Sequence, residues 1–273
     1  MKSRVTISLS SKMLEEVDKF VDGEDVTNRS QAIEKILRTY FMPSPARTAF
    51  ILAGGQGTRL RPLTYELPKP MVPIKGKPIL EYAINKLKEA DVKEIVISTG
   101  YLGKRIKEHF GDGERLGVNI KYVDEDKPLG TGGALKRAER LFRDDVIVLN
   151  GDNLFDFDIS KMYEFHKKSK SIATLAVTTQ TDVSRFGVVE MDGNRVVSFI
   201  EKPKNATNSH IVNAGVYVLS PVAISLIQDG TSDLSELFSN LAKKGKLNGF
   251  IYSGKWFPCD SLELYERALK NWS

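Results

Sequence analysis

A strand that runs directly into a glycine-rich loop is the feature that most constrains how this chain can fold. Residues 49–53 are apolar and are followed, at 54–62, by the sequence G-G-Q-G-T-R-L-R-P. Glycines allow a sharp turn and bring backbone N–H groups against phosphate oxygens, an approach that a Cβ atom would obstruct. The loop is neither a Walker A loop, because no G-K-[ST] follows, nor a dinucleotide fingerprint, because Leu60 replaces the third glycine. We therefore expect a phosphate-binding turn of another kind, with a purely structural strand-to-helix turn as the alternative.

Apolar strands alternate with helical patterns after this loop. The strands are predicted at 49–53, 94–98, 118–123 and 145–149, and the helices at 79–90 and 135–141. This alternation predicts an α/β fold with a Rossmann-like, mostly parallel sheet covered on both faces. After residue 170 the strands are closely spaced, which predicts an added antiparallel layer with a hairpin turn at 192–194. These later strands are predicted at 172–177, 186–190, 196–200 and 212–219.

The composition favours anionic partners and a reducing compartment. The chain has 273 residues, a formal net charge of +5 and a single cysteine, Cys259, which excludes an intramolecular disulfide. The Cys/His spacing does not resemble a zinc site, and neither a signal peptide nor a run of about 18 apolar residues is present. We expect a cytoplasmic protein without a membrane span. The net charge does not separate a DNA backbone from a small phosphate substrate as the partner.

Pro43 and Pro45 mark the best candidate for a domain boundary, because proline disfavours helix on both sides. We expect an N-terminal module at 1–42, a linker at 43–47 and a second domain at 48–273. The N-terminal module holds seven Lys/Arg and seven Asp/Glu residues. It is therefore neutral, and its basic residues would have to cluster on one face to bind nucleic acid.

The N-terminal module has the pattern strand, helix, helix. Residues 4–9 alternate polar and apolar side chains, which predicts one strand. Ser10 or Ser11 is expected to cap a first helix, and Asn28 with Gln31 forms a capping-box pattern that begins a second helix. One strand and two helices in about 40 residues leave a sheet edge unpaired and bury too little surface. The pattern implies a partner chain, in a homodimer or a higher homo-oligomer.

Residues 3–41 resemble the ribbon-helix-helix family of dimeric DNA-binding proteins, in which two such strands pair antiparallel and enter the major groove. The resemblance implies a role in transcription regulation, with double-stranded DNA as the partner. It places Arg4, Thr6 and Ser8 against the bases, and Asn28, Arg29 and Ser30, at the N-terminus of the second helix, near phosphates. The alternative is a ribbon that only dimerises the protein, because Thr and Ser are ordinary residues on a solvent-facing strand.

A second motif strengthens the phosphate-binding interpretation of the glycine-rich loop. Lys69 lies between Pro68 and Pro70, so its backbone is stiff and its ammonium group is presented at a fixed point. Together, G-G-x-G-T-R-L-x-P-L-T and P-K-P-M resemble the sugar-1-phosphate nucleotidylyltransferases, which join a nucleoside triphosphate to a sugar 1-phosphate and release pyrophosphate. The resemblance extends over most of 48–270, with further matching segments at 128–134, 151–153, 186–189, 201–203 and 213–215.

This resemblance implies roles for individual residues. Arg59 would contact the triphosphate and Lys69 the α-phosphate, because the transfer depends on positioning and charge neutralisation. Asp152 follows the strand at 145–149, where open α/β sheets bind ligands, and would hold Mg2+. A plain Gly-Asp-Asn turn is the alternative for Asp152. The implied nucleotide-binding residues are Ala53, Gly54, Gly55, Gly57, Thr58, Glu125, Gly130 and Thr131.

The substrates are only partly constrained by the resemblance. Glu125 falls where the family contacts the base edge, and a carboxylate selects a base with N–H donors, either guanine or a pyrimidine with a protonated N3. The sugar-phosphate pocket is implied to contain Gly187, Glu201, Lys202 and Asn213. Within it, Glu201 would bind sugar hydroxyls and Lys202 the phosphate.

The C-terminal region departs from the family pattern W-x-D-x-[GD]-[TS]. Pro258 stands where the second metal-binding carboxylate is expected, and Asp260 is the candidate substitute. Two hypotheses remain: a Mg2+-dependent enzyme of NDP-sugar synthesis fused to a DNA-binding module, or a catalytically reduced transcription regulator that senses an NTP or nucleotide sugar and binds operator DNA. A hexapeptide-repeat region does not follow, so a second, acyltransferase activity is not expected.

Overall fold

The computed structural model describes residues 6–21, 23, 26–41, 46, 48–205 and 207–272, with only the backbone of 38–41. The chain forms two compact units, residues 1–44 and 45–273. Arg4 of the predicted strand lies outside the described residues, as do four of the five positions of the predicted linker.

The first unit contains the two predicted helices, α1 (Ser11–Asp18) and α2 (Arg29–Phe41). Ser10 caps α1, because its hydroxyl accepts a hydrogen bond from the Met13 amide at 3.4 Å. At the start of α2, Asn28 Oδ1 accepts from the Gln31 amide at 3.0 Å. Both predicted helix starts are confirmed.

The strand predicted at 4–9 is not formed in its described part, residues 6–9. A β-ladder needs a neighbouring strand to satisfy its N–H and C=O groups, and the described residues of this unit offer none. The described core of the unit consists of Val17, Val26 and Ala32. Four large apolar side chains remain 47% to 57% exposed, namely Ile7, Met13, Phe20 and Leu37. This exposed apolar surface fits the predicted partner chain.

The second unit alternates strands and helices. Its strands are β1 (Thr48–Ala53), β2 (Pro73–Ile74), β3 (Lys77–Pro78), β4 (Glu94–Thr99), β5 (Asn119–Asp124), β6 (Val146–Asn150), β7 (Asn153–Phe155), β8 (Ala173–Thr179), β9 (Gly187–Asp192), β10 (Arg195–Glu201), β11 (Ile211–Leu219), β12 (Leu247–Ile251) and β13 (Trp256–Pro258). Its helices are α3 (Ile79–Glu89), α4 (Gly103–Phe110), α5 (Gly130–Arg137), α6 (Ile159–Ser169), α7 (Pro221–Ser225), α8 (Leu234–Lys243) and α9 (Leu262–Asn271).

Nine strands of the described chain form one mixed sheet in the order β5-β4-β1-β6-β11-β8-β12-β10-β9. The first four are parallel, as predicted. The predicted antiparallel strands extend this same sheet: β11 lies antiparallel between β6 and β8, and β9 and β10 form the predicted hairpin. β3 pairs only with β2, and β7 pairs with β13, in two small separate ribbons.

The sheet order creates a crevice beside β1. The chain leaves β1 toward β4 on one side and later returns to β6 on the other, so β1 and β6 flank a topological switch point. The Gly151 amide donates to the Leu52 carbonyl at 2.9 Å and joins the two strand ends. Apolar side chains of α3 and α6 cover one face of the sheet, and those of α5, α7 and α8 cover the other.

One predicted helix begins earlier than expected. The apolar pattern at 135–141 predicted a helix there, whereas α5 spans Gly130–Arg137 and a separate 3-10 turn covers Glu139–Leu141. The glycines at the start of α5 disfavour helix intrinsically. They are helical because the amides of Gly132 and Gly133 donate to the Ser232 carbonyl, and an added Cβ at Gly133 would collide with the Gly230 carbonyl. Tertiary packing therefore overrides local propensity.

Candidate active site

Asp152 lies at the carboxyl end of β6, one residue beyond Gly151, whose amide bonds to the end of β1. Its Oδ2 accepts a hydrogen bond from Lys69 Nζ at 2.5 Å. The lysine comes from a 3-10 turn, Lys69–Met71, that is bounded by Pro68. The structure thus brings the predicted lysine and the predicted aspartate together, although 83 residues separate them.

Lys69 is also bonded to a second carboxylate. Its Nζ lies 2.9 Å from Asp260 Oδ1, and Arg59 Nη1 lies 2.5 Å from Asp260 Oδ2. Burial alone would lower the pKa of Lys69, but the charges of Asp152 and Asp260 outweigh it and raise the pKa above its ordinary value. The ammonium is therefore charged, and two cations and two carboxylates form one network.

Asp260 reaches this network through the small ribbon of β7 and β13. Pro258 is paired with Asn153, and the Cys259 amide donates to the Asp152 carbonyl at 3.1 Å. This pairing places Asp260 beside Asp152, and Pro258 lines the same cavity as these two carboxylates. Asp260, the candidate substitute for the carboxylate expected at position 258, thus lies beside Asp152. Burial raises the pKa of the intervening Cys259 thiol to about 12, so that side chain remains a neutral part of the core.

A cavity of about 280 Å3 extends from the end of β1 toward β5. Most of the predicted nucleotide-binding residues line it, together with two of the three catalytic candidates: Ala53, Gly54, Gly55, Glu125, Gly130, Thr131, Lys69 and Asp152. Gly57 and Thr58 are not on its wall. Instead, a Cβ at Gly57 would lie 2.9 Å from Lys69 Cβ, so this glycine makes room for the lysine stem.

Glu125 is held by two hydrogen bonds at the far end of this cavity. Ser98 Oγ donates to Glu125 Oε1 at 2.7 Å, and the Leu129 amide donates to Oε2 at 3.2 Å. A Cβ at Gly54 would stand 2.6 Å from Oε1. The carboxylate is therefore fixed in orientation, and its remaining lone pairs are available to a ligand in the cavity.

A second cavity, of about 380 Å3, adjoins the first. All four predicted sugar-phosphate residues line it: Gly187, Glu201, Lys202 and Asn213. Lys202 Nζ lies 3.0 Å from Glu201 Oε1, and the Lys202 backbone has a left-handed φ of 43°. For a lysine this conformation costs free energy, and such strain accumulates at functional sites.

The two cavities share part of their walls. Thr131, Asn150, Asp152 and Asp233 line both of them. Arg59 and Asp260 line the larger cavity and Lys69 the smaller, so the charged network stands between the two. Two ligands bound at the same time, one in each cavity, would meet at Asp152.

Sequence reasoning did not identify Asp233, Asn150 or Arg185, which also line these cavities. Asp233 Oδ1 accepts from the Thr131 amide at 3.0 Å and from its hydroxyl at 3.1 Å. This contact spans 102 residues, and no local pattern indicates it. Arg185 immediately precedes the family signature Phe186–Gly187, and its charge was the available signal.

The predicted DNA-facing residues of the first unit are exposed where they are described. These are Thr6, Ser8, Asn28, Arg29 and Ser30. Arg29 forms a two-pronged ion pair with Asp18, with Nε–Oδ1 at 2.7 Å and Nη2–Oδ2 at 2.8 Å. A phosphate bound at the start of α2 would compete with Asp18 for this guanidinium group.

Two family models match the chain. Residues 48–263 match the model described as "Nucleotidyl transferase", and residues 3–41 match "Ribbon-helix-helix protein, copG family". No helix among the described residues is long and apolar enough to span a membrane.

Individual relatives agree with the first model. A mannose-1-phosphate guanylyltransferase of Mycobacterium tuberculosis is 37% identical over 226 residues, which cover 81% of this chain and 63% of the relative. A UTP–glucose-1-phosphate uridylyltransferase of Synechocystis is 38% identical over 216 residues, which cover 72% of this chain and 55% of the relative. The crystal structure of HddC from Yersinia pseudotuberculosis complexed with GMP-PN aligns with a TM-score of 0.71 and 29% identity, and the alignment covers 83% of this chain and 100% of HddC. The chain thus spans less than two thirds of the two curated relatives.

Proposed function

Since the chain belongs to the nucleotidyl transferase family, we propose that it transfers a nucleotidyl group from a nucleoside triphosphate to a sugar 1-phosphate and releases pyrophosphate. One observation carries the proposal: two adjoining cavities meet at Asp152, and Lys69, Arg59 and Asp260 stand between them. The smaller cavity would take the nucleotide and the larger one the sugar phosphate.

The reaction needs charge neutralisation at this junction. An oxygen of the sugar phosphate forms a bond to the α-phosphorus, the bond from that phosphorus to the bridging oxygen breaks, and pyrophosphate leaves with the electron pair. Lys69 would contact the α-phosphate and Arg59 the triphosphate, because both reach the space between the cavities. Their positive charges offset the charge that develops on the leaving group.

The chain's own carboxylates fit a magnesium ion that arrives with phosphate ligands. Asp152 and Asp260 converge on a single ammonium group at 2.5 and 2.9 Å, and Mg2+ is commonly held by one or two carboxylates plus substrate phosphates. Among the described residues, clusters of three or more His, Cys, Asp or Glu that could hold a metal alone are absent. When bound, Mg2+ would polarise the α-phosphate.

The fixed carboxylate of Glu125 supports a base that offers N–H donors. Guanine, at N1 and N2, and uracil or thymine, at N3, meet this requirement. The activities named for the two relatives, guanylyl and uridylyl transfer, involve two of these bases. In the larger cavity, Glu201 would accept hydrogen bonds from sugar hydroxyls and Lys202 would bind the phosphate.

The test is pyrophosphate release with Mg2+, each of the four common nucleoside triphosphates and a panel of hexose 1-phosphates. We expect turnover with GTP, UTP or dTTP. Asp152→Asn and Asp260→Asn should each lower kcat at least about 100-fold, whereas Asp192→Asn, on the exposed β9–β10 hairpin, should not change it. Saturable nucleotide binding without turnover for any pair of substrates would refute the enzyme and favour a nucleotide sensor.

For the N-terminal region we propose a ribbon-helix-helix dimer that binds double-stranded DNA. The family match over residues 3–41 and the exposed apolar side chains of the unit support it. We place this module at 1–42, the linker at 43–47 and the transferase domain at 48–273. Residues Arg4, Thr6 and Ser8 would read bases, and Asn28, Arg29 and Ser30 would bind phosphates.

The DNA proposal is tested by selecting binding sites from a random DNA pool and comparing the wild-type protein with Arg4→Ala. The variant should bind the selected site about 5- to 150-fold more weakly, with relaxed selectivity at one base pair. Sedimentation at the same concentrations reports the oligomer. Unchanged affinity and selectivity would leave a ribbon that only dimerises the chain. The sensor function remains the second candidate. It explains why a ribbon-helix-helix module is present, whereas the transferase function alone does not.

A further inference from the structure

Lys69 occupies the position between the two carboxylates of the active-site network. Its Nζ lies 2.5 Å from Asp152 Oδ2 and 2.9 Å from Asp260 Oδ1. The lysine side chain is 10% exposed, and those of Asp152 and Asp260 are 29% and 20% exposed. The other oxygen of Asp260 is bonded to Arg59. Three of the four carboxylate oxygens thus already have a cationic partner from the protein.

A magnesium ion would need these same oxygens. Mg2+ binds oxygen ligands at about 2.0–2.1 Å, which is closer than an ammonium nitrogen approaches a carboxylate. An ammonium group between the two carboxylates therefore blocks the metal sterically. It also repels a second cation, and this repulsion is weakly screened because the site is largely removed from water. Either Lys69 or the metal can bridge the pair.

A triphosphate changes this competition, because it offers Lys69 and Arg59 new anionic partners. Both residues reach the junction of the two cavities, and phosphate oxygens form strong charge-assisted hydrogen bonds with them. Movement of Lys69 toward a phosphate would release one oxygen from each of Asp152 and Asp260. The phosphate would then supply the remaining ligands of the metal.

The position of the lysine stem supports this exchange. A Cβ at Gly57 would lie 2.9 Å from Lys69 Cβ, so the glycine-rich loop is packed directly on the lysine. The loop carries Arg59 two residues later, and Arg59 bonds to the same Asp260. Binding of a polyphosphate against this loop would therefore act on both cations together.

We propose that Lys69 is a built-in counter-ion of the Asp152–Asp260 metal site. It excludes free Mg2+, and it leaves the two carboxylates free to bind the metal only when a nucleoside triphosphate binds. The inference rests on the proposed function, since it takes the triphosphate as the ligand of the smaller cavity. It assigns Lys69 a role in the order of binding, in addition to its contact with the α-phosphate. Metal would enter with the nucleotide rather than before it.

Mn2+ titration followed by electron paramagnetic resonance tests the proposal without turnover. In the absence of nucleotide, Lys69→Met should bind Mn2+ at least about tenfold more tightly than the wild-type protein, because the competing cation is gone. The matched control is Lys202→Met, which removes the same charge from the neighbouring cavity but not from between the aspartates. It should bind Mn2+ like the wild type. Lys69→Gln provides a second, polar replacement if Lys69→Met does not fold.

Two results would overturn the proposal. One is equal Mn2+ affinity of the wild type and the folded Lys69 variants in the absence of nucleotide. The other is a gain that persists when Asp152→Asn and Asp260→Asn are added to the Lys69 variant, because the metal would then bind elsewhere. Pyrophosphate release by the wild-type protein is measured separately, so failure of the counter-ion role is distinguishable from failure of the transferase function.

Discussion

Gly54→Ala should destabilise the protein by disturbing Glu125, at the far end of the smaller cavity. An added Cβ would lie 2.6 Å from Glu125 Oε1, well inside van der Waals contact. The carboxylate would have to move, and it would lose its 2.7 Å hydrogen bond from Ser98. Ser98 is completely buried, so its hydroxyl would be left without this acceptor.

The expected cost follows from these contacts. Overpacking costs about 1–3 kcal/mol, and a buried hydrogen bond to a charged group is worth about 1.5–3 kcal/mol. Because moving the carboxylate relieves the clash, the two terms do not add, and we expect a loss of about 2 kcal/mol. For a domain of this size that loss lowers Tm by about 4–8 °C.

Gly55→Ala is the matched control, because nothing lies within 4 Å of its added Cβ. It should leave Tm within about 1 °C of the wild type. If the backbone at Gly55 approaches a phosphate, as the sequence predicts, this variant should still bind nucleotide at least about tenfold more weakly. Thermal unfolding and nucleotide calorimetry on both variants give the comparison. Equal Tm values for the two variants would refute the assignment of Gly54 to carboxylate packing.

Two further predictions concern single side chains. Arg185→Gln should raise the KM for the sugar 1-phosphate about tenfold and leave the KM for the nucleotide unchanged. The reason is that Arg185 lines the larger cavity and its nearest carboxylate, Glu263, is 3.7 Å away. The control is Arg267→Gln, which should change neither KM, because Arg267 lines a neighbouring cavity. Burial would raise the pKa of Asp145, but hydrogen bonds from His166 and Lys167 outweigh it and lower the pKa below its ordinary 3.8. A carboxyl group whose pKa is lowered by folding stabilises the fold at pH values above its ordinary pKa. This stabilisation is lost as the pH falls through the pKa of the folded state. Asp145→Asn should therefore cost about 1–3 kcal/mol in urea unfolding at neutral pH and progressively less below about pH 4; a cost that is constant with pH would contradict the assignment.

The parallel half of the sheet was predictable because β1, β4 and β6 are short, mainly apolar runs bounded by turns, and β5 alternates polar and apolar residues at its start. β1, β4, β5 and β6 lie within one residue of their predicted bounds at both ends. The carboxyl end of β6 also positions Asp152 without any knowledge of distant contacts. The position of Lys69 could not be predicted in this way, because its contact with Asp152 joins two residues that are 83 positions apart in the sequence. Its prediction came from family resemblance.

Other site residues depend on pairings that leave no local pattern. Asp260 enters the site because β13 pairs with β7, and both strands have only three residues. The gap between Pro258 and Asp260 in the sequence does not reveal which side chain faces Asp152. Asp233 is brought to Thr131 by the loop before α8, which packs on the helical glycines of α5. The described part of the predicted N-terminal strand, residues 6–9, is not a strand, because a β-ladder needs a neighbouring strand to pair with and the described part of this unit has none.

The enzyme and sensor hypotheses differ in what the fusion of two units must achieve. A sensor requires that nucleotide binding change the affinity for DNA, and linkage makes this coupling reciprocal. If nucleotide alters operator affinity about tenfold, DNA must alter nucleotide affinity by the same factor, equivalent to about 1.4 kcal/mol. Nucleotide titrations of free and DNA-bound protein therefore measure the coupling directly, whether or not turnover occurs, because linkage governs binding equilibria and not kcat. Equal nucleotide affinities in the two states would eliminate the sensor and leave an enzyme whose N-terminal module only dimerises or localises it.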